Sequence, residues 1–366
     1  MGRRAGELEQ LCCLGLPGEV LVPELLARMH ADVASHWNIF FWFDAKGEIV
    51  NAYGESPMFY EALPHYFAEF YQRGEYELMG RGTHAMFMRD PAVIEDLRGV
   101  VRDDRKVARS GFYQEILRRV GFHNATYLKV REAGRPLGMV LLGTDDAKPD
   151  IDAAERERLA RLAPFIAHGL GAPKSFALHG FEDDDCGVLV FDRAGALQHV
   201  SPSARRLLFL ATHPQAGPRQ LKRPEHARLE VPEPVRRLCT GLDAALSGEG
   251  GRAPTHFIEN RWGRFAFRAY PLDPVRRDPA RIGVIVQRQI PTALALWRQI
   301  RALGLPPRQA EVCFHLANGR AYADIGKAMN ISINTVTWHV REIYARFDVH
   351  GAGELSRKLL SRPEAS

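Results

Sequence analysis

The stretch Ser332 to Phe347, SINTVTWHVREIYARF, holds the side chains whose types and spacing speak most plainly of chemistry. Advancing about 100° per residue from Val336 brings Val336, Val340, Ile343 and Phe347 within about 60° of one another, a stripe to be buried. Asn334, Thr337, Trp338, Arg341 and Ala345 gather on the opposite side. One cation, several hydrogen-bonding groups and a large aromatic on one face suit base edges and phosphates better than plain solvation. Arg341 can pair bidentately with a guanine. Trp338 can rest against a thymine methyl, or pack on a neighbouring domain. Thr337 completes the set expected near the bases, with Asn334 beside it. Thr335, Lys327 and Arg320 are expected to position phosphates.

The elements around this helix are placed to present it. Ser332 stands where an N-cap is wanted, and its hydroxyl can take an orphan amide of the first turn. Before it, Tyr322, Ile325 and Met329 are spaced as one face of a short amphipathic helix. Asn330 follows, a residue that tolerates the left-handed conformation of a sharp corner. Two helices joined through such a corner make a helix-turn-helix. A preceding helix, Pro307 to Asn318, should bury Val312, Cys313, Leu316 and Ala317, with Gly319 ending it. A last helix, Gly351 to Leu360, offers Leu355, Leu359 and Leu360 as anchors.

This segment resembles the LuxR/GerE-type DNA-binding domain of bacterial transcription regulators. Leu305, Pro307, Arg308, Glu311, Val312, Gly319, Ile325, Ile331, Ser332, Thr335, Val336, His339, Ile343 and Val349 stand in that family's register. The resemblance implies double-stranded DNA as partner, and gives His339 a structural or backbone-contacting role instead of a catalytic one. Some positions depart from the pattern. Pro306 stands for the usual Thr and Gln309 for the usual Glu. Tyr322-Ala323 replaces Asn-Lys, Thr337 replaces Lys, and Ala352 replaces Arg. Several of these lost groups hold phosphates in the family, so weak non-specific binding is expected, or binding that needs a dimer or a ligand-induced geometry.

Charge agrees with that placement. The chain of 366 residues has 49 Lys/Arg and 44 Asp/Glu, a net +5. From Trp297 onward there are 10 Lys/Arg and 6 Asp/Glu, so +4 of the excess lies in the terminal segment. The basic surplus sits where nucleic acid would bind. Apolar content of 46% and charged content of 25% describe an ordinary globular protein with room for two or three domains. The five cysteines, Cys12, Cys13, Cys186, Cys239 and Cys313, show no Cys-x-x-Cys spacing, and reduced thiols are the natural reading. No secretory signal core and no membrane-spanning run is seen, and a cytoplasmic protein is expected.

The first three hundred residues read as sensor-like α+β structure. A helix is expected from about Glu19 to Ser35. A hairpin with its turn at Asp44-Ala45-Lys46-Gly47 comes next, then an aromatic-rich helix from Pro57 to Gly74. A long irregular stretch leads to a short helix, Phe112 to Val120. A second hairpin turns at Ala133-Gly134-Arg135-Pro136, and a helix from Asp152 to Leu170 closes the unit. This layout, Phe112 to Leu170 above all, resembles a GAF domain. Beyond a linker at Gly171 to Ser175, the sequence from Cys186 runs strand, Asp192-to-Gly195 turn, strand and helix, an opening that resembles a PAS domain. His213 to Pro234 reads as a loop with local helix, and three further strands follow. The expected fold class is α+β multidomain: a GAF-like domain over 1–172 and a PAS-like domain over 173–290, both antiparallel-sheet sensors. A linker helix over 291–303 and an all-α helix-turn-helix domain over 304–366 complete it.

Candidate ligand chemistry lies between Ile39 and Tyr76, where aromatics crowd. Phe41 and Phe43 share one strand face, Phe40 and Trp42 the other. With Tyr53, Phe59 and Tyr66, the residues Phe41 and Phe43 read either as the lining of a pocket for an apolar or aromatic small-molecule effector or as an aromatic core. The 14 histidines show no metal spacing. Asp183-Asp184-Asp185 reads as a solvated loop, and Arg219, Lys222, Arg223, Arg228, Arg236 and Arg237 as an exposed basic loop. No phosphate-binding, nucleophile-elbow, flavin or bilin motif is found, so neither cofactor nor enzymatic activity is expected. The expectation is a ligand-responsive, homodimeric DNA-binding regulator. Control by a protein partner, or an enzyme fused to a DNA-binding tail, are the alternatives.

Overall fold

The computed structural model describes residues 2–89, 92–101, 104–144, 151–171, 181–221, 229–242, 254–272, 274 and 279–360. It contains two five-stranded antiparallel sheets followed by a run of helices. The first sheet comprises β1 (Trp37–Phe43), β2 (Ile49–Gly54), β3 (Ile94–Asp96), β4 (Asn124–Glu132) and β5 (Arg135–Thr144), in the order β2-β1-β5-β4-β3. The second comprises β6 (Phe181–Phe191), β7 (Leu197–Val200), β8 (Thr255–Asn260), β9 (Gly263–Leu272) and β10 (Arg281–Pro291), in the order β7-β6-β10-β9-β8. Renumbered within each half, the two orders are identical. Both sheets belong to one compact unit, and the helices from Ile290 onward belong to another.

Local chemistry explains the turns. Asp44 Oδ1 accepts from the amides of Lys46 at 2.8 Å and Glu48 at 3.0 Å, closing the first hairpin beside Gly47. The second hairpin turns through two successive left-handed residues, Ala133 at φ 48° and Gly134 at φ 80°. That pair is what a tight hairpin needs to match strand twist.

Several helices differ from expectation. The helix expected from Glu19 to Ser35 spans Gly18–Met29. His30 then bonds the Ser35 carbonyl at 2.9 Å and Glu55 at 2.8 Å, which holds the chain in a turn. The helix expected from Pro57 to Gly74 is three pieces. Pro57–His65 is α-helical, Tyr66–Phe70 winds one π-type turn, and Arg73–Met79 starts afresh. The break is at Gln72, with φ 66°, where Glu75 reaches back to accept from the Gln72 amide at 3.1 Å. The expected irregular stretch holds β3 and short helices at Thr83–Arg89, Leu97–Val101 and Asp104–Arg109. Phe112 to Val120 contains a second π-type turn, Tyr113–Leu117. The local helix expected between His213 and Pro234 is Pro218–Leu221, and Glu233–Thr240 adds a helix that the apolar pattern did not announce.

The two sheets are joined by packed rings and buried polar contacts. Trp262 is fully buried. It meets Trp42 edge-on with centroids 5.6 Å apart and lies 5.9 Å from Tyr53. Its indole N–H donates to the His213 carbonyl at 3.0 Å. Asn51 Oδ1 accepts from the Ala216 amide at 2.8 Å, and buried Glu19 pairs with Arg261 at 2.8 Å.

The terminal unit is helical: Thr292–Ala302, Pro307–Ala317, Tyr322–Met329, Ile333–Phe347 and Ala352–Leu360. Val312, Cys313, Leu316, Ile325, Val336, Val340, Ile343, Leu355 and Leu359 form its core. Phe347 and Ala317, expected inside, are half-buried. The helix read as a linker packs on Pro307–Ala317 and Ala352–Leu360, burying Leu294, Leu296, Trp297 and Ile300.

Candidate nucleic-acid interface and candidate ligand cavity

The helix Ile333–Phe347 is built from its cap upward. Ser332 Oγ accepts from the Thr335 amide at 3.1 Å and sits 2.7 Å from the Thr335 hydroxyl. Asn330 adopts φ 51°, the left-handed corner expected of it. The Ile331 amide then donates back to the Gly326 carbonyl at 3.0 Å, folding the turn onto the preceding helix. With Val336, Val340 and Ile343 buried, the opposite face has to point outward.

That face is open. Asn334, Thr335, Trp338 and Arg341 are exposed, and Thr337 is half-exposed with its hydroxyl donating to the Ile333 carbonyl at 2.9 Å. Trp338 is 55% exposed and Ile333, at the first turn, 52%. Burial would have removed both from water, so their exposure costs free energy that an apolar partner recovers. Lys327 is exposed on the preceding helix and Arg320 half-exposed before it. His339 is buried, and its Nδ1 has no hydrogen-bond partner among the described residues. His315 is buried too, and desolvation together with the nearby Arg320 charge pulls its imidazole down to about 4, so it is neutral. Ile333 escaped the sequence reading because it stands at the helix start, ahead of the periodic stripe.

A second site lies in the first sheet's half. A cavity is floored by Ile39 and Phe41 of β1, Met139 and Leu141 of β5 and Tyr127 of β4. The register makes these neighbours: Ile39 opposes Leu141, Phe41 opposes Met139, and Tyr127 opposes Leu141. The roof comes from Phe59, Ala62, Leu63 and Tyr66, and from Phe112, Ile116, Leu117 and Val120. Each roof segment contains one of the π-type turns. Such turns are uncommon and recur at functional sites.

Of the aromatics expected here, Phe41, Phe59 and Tyr66 line the cavity. Phe43 lies further along the same strand face and packs on Phe87 at 4.6 Å, outside the walls. Tyr53 opposes Phe40 in the register, so it faces the other side of the sheet, towards Trp262. The cavity also has a polar end that spacing did not disclose. Glu75 is buried there, accepting from Tyr66 Oη and Thr83 Oγ1, each at 2.6 Å, and from the Thr83 amide at 2.7 Å. Burial raises its carboxyl pKa above the ordinary range, and the bonds from Thr83, Tyr66 and Gln72 oppose that rise. Burial likewise raises the Tyr66 and Tyr127 phenols.

The other groups weighed in the sequence are not assembled into a site. Asp185 pairs with Arg206, and Arg237 with Glu233 at 3.1 Å. Lys222, Arg223 and Arg228 lie outside the described residues. Among the described residues no group of three or more His, Cys, Asp or Glu is placed to hold a metal ion, and no helix is long and apolar enough to cross a membrane.

Residues 304–359 match the family of bacterial regulatory proteins described as the luxR family. The carboxy-terminal domain is a LuxR-family DNA-binding domain. The curated proteins contain no match to the chain. Among solved structures it is similar to the Vibrio cholerae VqmA dimer in the absence of target DNA, at 17% identity over 49% of this chain and 83% of that one, TM-score 0.17. VqmA bound to DPO gives 17% identity over 49% and 82%, TM-score 0.18. The sensor region of a sensor histidine kinase gives 12% identity over 74% and 93%, TM-score 0.18. At these TM-scores the likenesses carry no structural argument. The LuxR-type domain therefore rests on its own residues: the Ser332 cap, the Asn330 corner and the buried stripe coincide with the family's register.

Proposed function

We propose that this chain is a cytoplasmic, ligand-responsive transcription regulator. The LuxR-type domain enters the major groove with the helix Ile333–Phe347, and the two sheet-bearing halves, read as GAF-like and PAS-like sensors, govern it. Arg341, Trp338, Thr337 and Asn334 read or approach bases, while Thr335, Lys327 and Arg320 hold phosphates. The observation that carries this reading is the exposed polar and aromatic face of that helix, above all Trp338 beside Arg341. A homodimer on a two-fold operator follows from the small footprint of one recognition helix.

The sensing half of the proposal rests on the cavity. It is concave and mostly apolar, with a few polar groups gathered at one end, as small-molecule sites are. Phe41, Phe59 and Tyr66 contact the effector, and Phe43 and Tyr53 support the strands behind them. An effector changes DNA binding only by favouring one of two states of the protein. No catalytic step is assigned.

The test is selection of genomic fragments by the full-length protein, followed by footprinting with wild type and Arg341→Ala. Losing a bidentate pair costs about 1–3 kcal/mol and relaxes selectivity at one base pair. Arg341 is exposed, so the fold should survive. An identical footprint at equal affinity would overturn the base-reading role.

Control by a protein partner is favoured by a different observation. The second sheet carries exposed Val188, Phe257, Tyr270, Leu272 and Ile285. Tyr270, Leu272, Phe257 and Ile285 share one face by register, and an exposed apolar sheet face marks an interaction surface. Phe257→Arg and Tyr270→Arg variants that left both solution mass and regulation unchanged would dismiss this reading.

A further inference from the structure

The polar end of the cavity specifies the ligand further, on the reading above that the cavity receives an effector. Tyr66 and Thr83 both spend their hydroxyl hydrogens on Glu75 Oε1, at 2.6 Å each. What these oxygens can still offer is lone pairs, so towards a ligand they act as acceptors. Tyr127 is different. It lines the same cavity, is 3% exposed, and its hydroxyl has no hydrogen-bond partner among the described residues. A buried phenol without a partner costs free energy unless something in the cavity completes it.

Two carboxylates stand at this end. Glu75 stands in the wall, and Glu95 lies across the β3–β4 register from Tyr127. The cations at hand are already engaged: Lys129, fully buried in its side chain, pairs with Glu95 at 2.5 Å, and Arg81 pairs with the same carboxylate. A further anion brought into this apolar enclosure would lose its hydration and meet carboxylates beside cations that are already engaged.

We infer that the cavity takes a neutral, single-ring ligand bearing one hydroxyl, whose hydrogen goes to the Tyr66 and Thr83 oxygens and whose oxygen accepts from Tyr127. A phenolic or aryl-alcohol hydroxyl meets both demands with one group. The ring fills the space among Phe41, Phe59 and Leu141. A carboxylic acid of the same shape is rejected.

Three probes of one shape test this with the full-length protein by titration calorimetry and thermal shift: 4-ethylphenol, ethylbenzene and 4-ethylbenzoate. The expected order is 4-ethylphenol at least about tenfold tighter than ethylbenzene, since one hydrogen bond is worth roughly a factor of ten, with 4-ethylbenzoate weakest. In Tyr127→Phe, 4-ethylphenol should lose about tenfold and ethylbenzene nothing. Equal binding of the phenol and the hydrocarbon, or binding of the benzoate as tight as the phenol, overturns the polar-end assignment while leaving an apolar ligand site in place. No heat and no shift from any of the three overturns the assignment together with the sensing role of the cavity. The wild-type series decides these outcomes even if the variant fails to fold.

Discussion

Replacing Trp262 by alanine should weaken the sheet-bearing unit more than any surface change. The side chain is fully buried and touches Trp42 and Tyr53 across the join between the two halves. Large aromatic-to-alanine changes in a packed core cost about 3–5 kcal/mol, from lost transfer energy and the cavity left behind. The His213 carbonyl also loses the indole donor that it holds at 3.0 Å, an effect of about 1 kcal/mol if water replaces it. With the two effects together at about 4–6 kcal/mol and a guanidinium m-value of about 5 kcal/mol per molar for a unit of this size, the midpoint should fall by about 0.8–1.2 M. Far-UV circular dichroism across a guanidinium titration reads this directly. Trp262→Phe keeps a ring and loses the bond, so it should lie between the two. A fall below about 0.2 M for the alanine variant, less than about 1 kcal/mol, would refute the claim that this ring fastens the halves together.

Lys327→Ala should reduce the slope of log affinity against log salt by about 1 per recognition domain, uniformly across DNA sequences, in a fluorescence-anisotropy titration. An unchanged slope removes Lys327 from the phosphate contacts. Ser332→Ala strips the cap from the Thr335 amide and should cost the terminal unit about 1 kcal/mol in chemical denaturation. Asn330→Ala should cost a similar amount, about 1 kcal/mol, because φ of 51° penalises a Cβ, whereas Asn330→Gly should be nearly neutral. His315, held neutral by burial with a pKa of about 4, has a folded value below its unfolded one near 6.5. Its contribution is therefore complete above about pH 6.5 and lost as pH falls towards 4. Melting temperatures of wild type should show that acid-side decline, and His315→Phe should flatten it.

The terminal domain was legible because its signals are local and coincide. Cap, corner and stripe each depend on residues within one or two turns, and Ser332, Asn330 and Val336 stand where the structure uses them. The hairpins were legible for the same reason, their turns being set by Asp44, Gly47 and Gly134. The break at Gln72 was not, because it depends on Glu75 being recruited to cap a new helix and brace Tyr66 and Thr83. That choice is tertiary. Tyr53 was grouped with Phe41 by density of rings along the chain, yet pairing with Phe40 turns it to the reverse side of the sheet. Tyr127 could not be singled out at all, since its distinction is a missing partner. The resemblance to two different sensor families also concealed that both halves string their strands in one order.

The alternation along β1 has a further consequence. Phe41 looks into the cavity and its neighbour Trp42 lies against Trp262. A guest that nudges the first ring acts on the second through a single peptide link, and the second abuts the other half of the unit. If the cavity senses as proposed, receptor and relay are opposite sides of one strand, and a message from one half to the other has no flexible tether in which to dissipate.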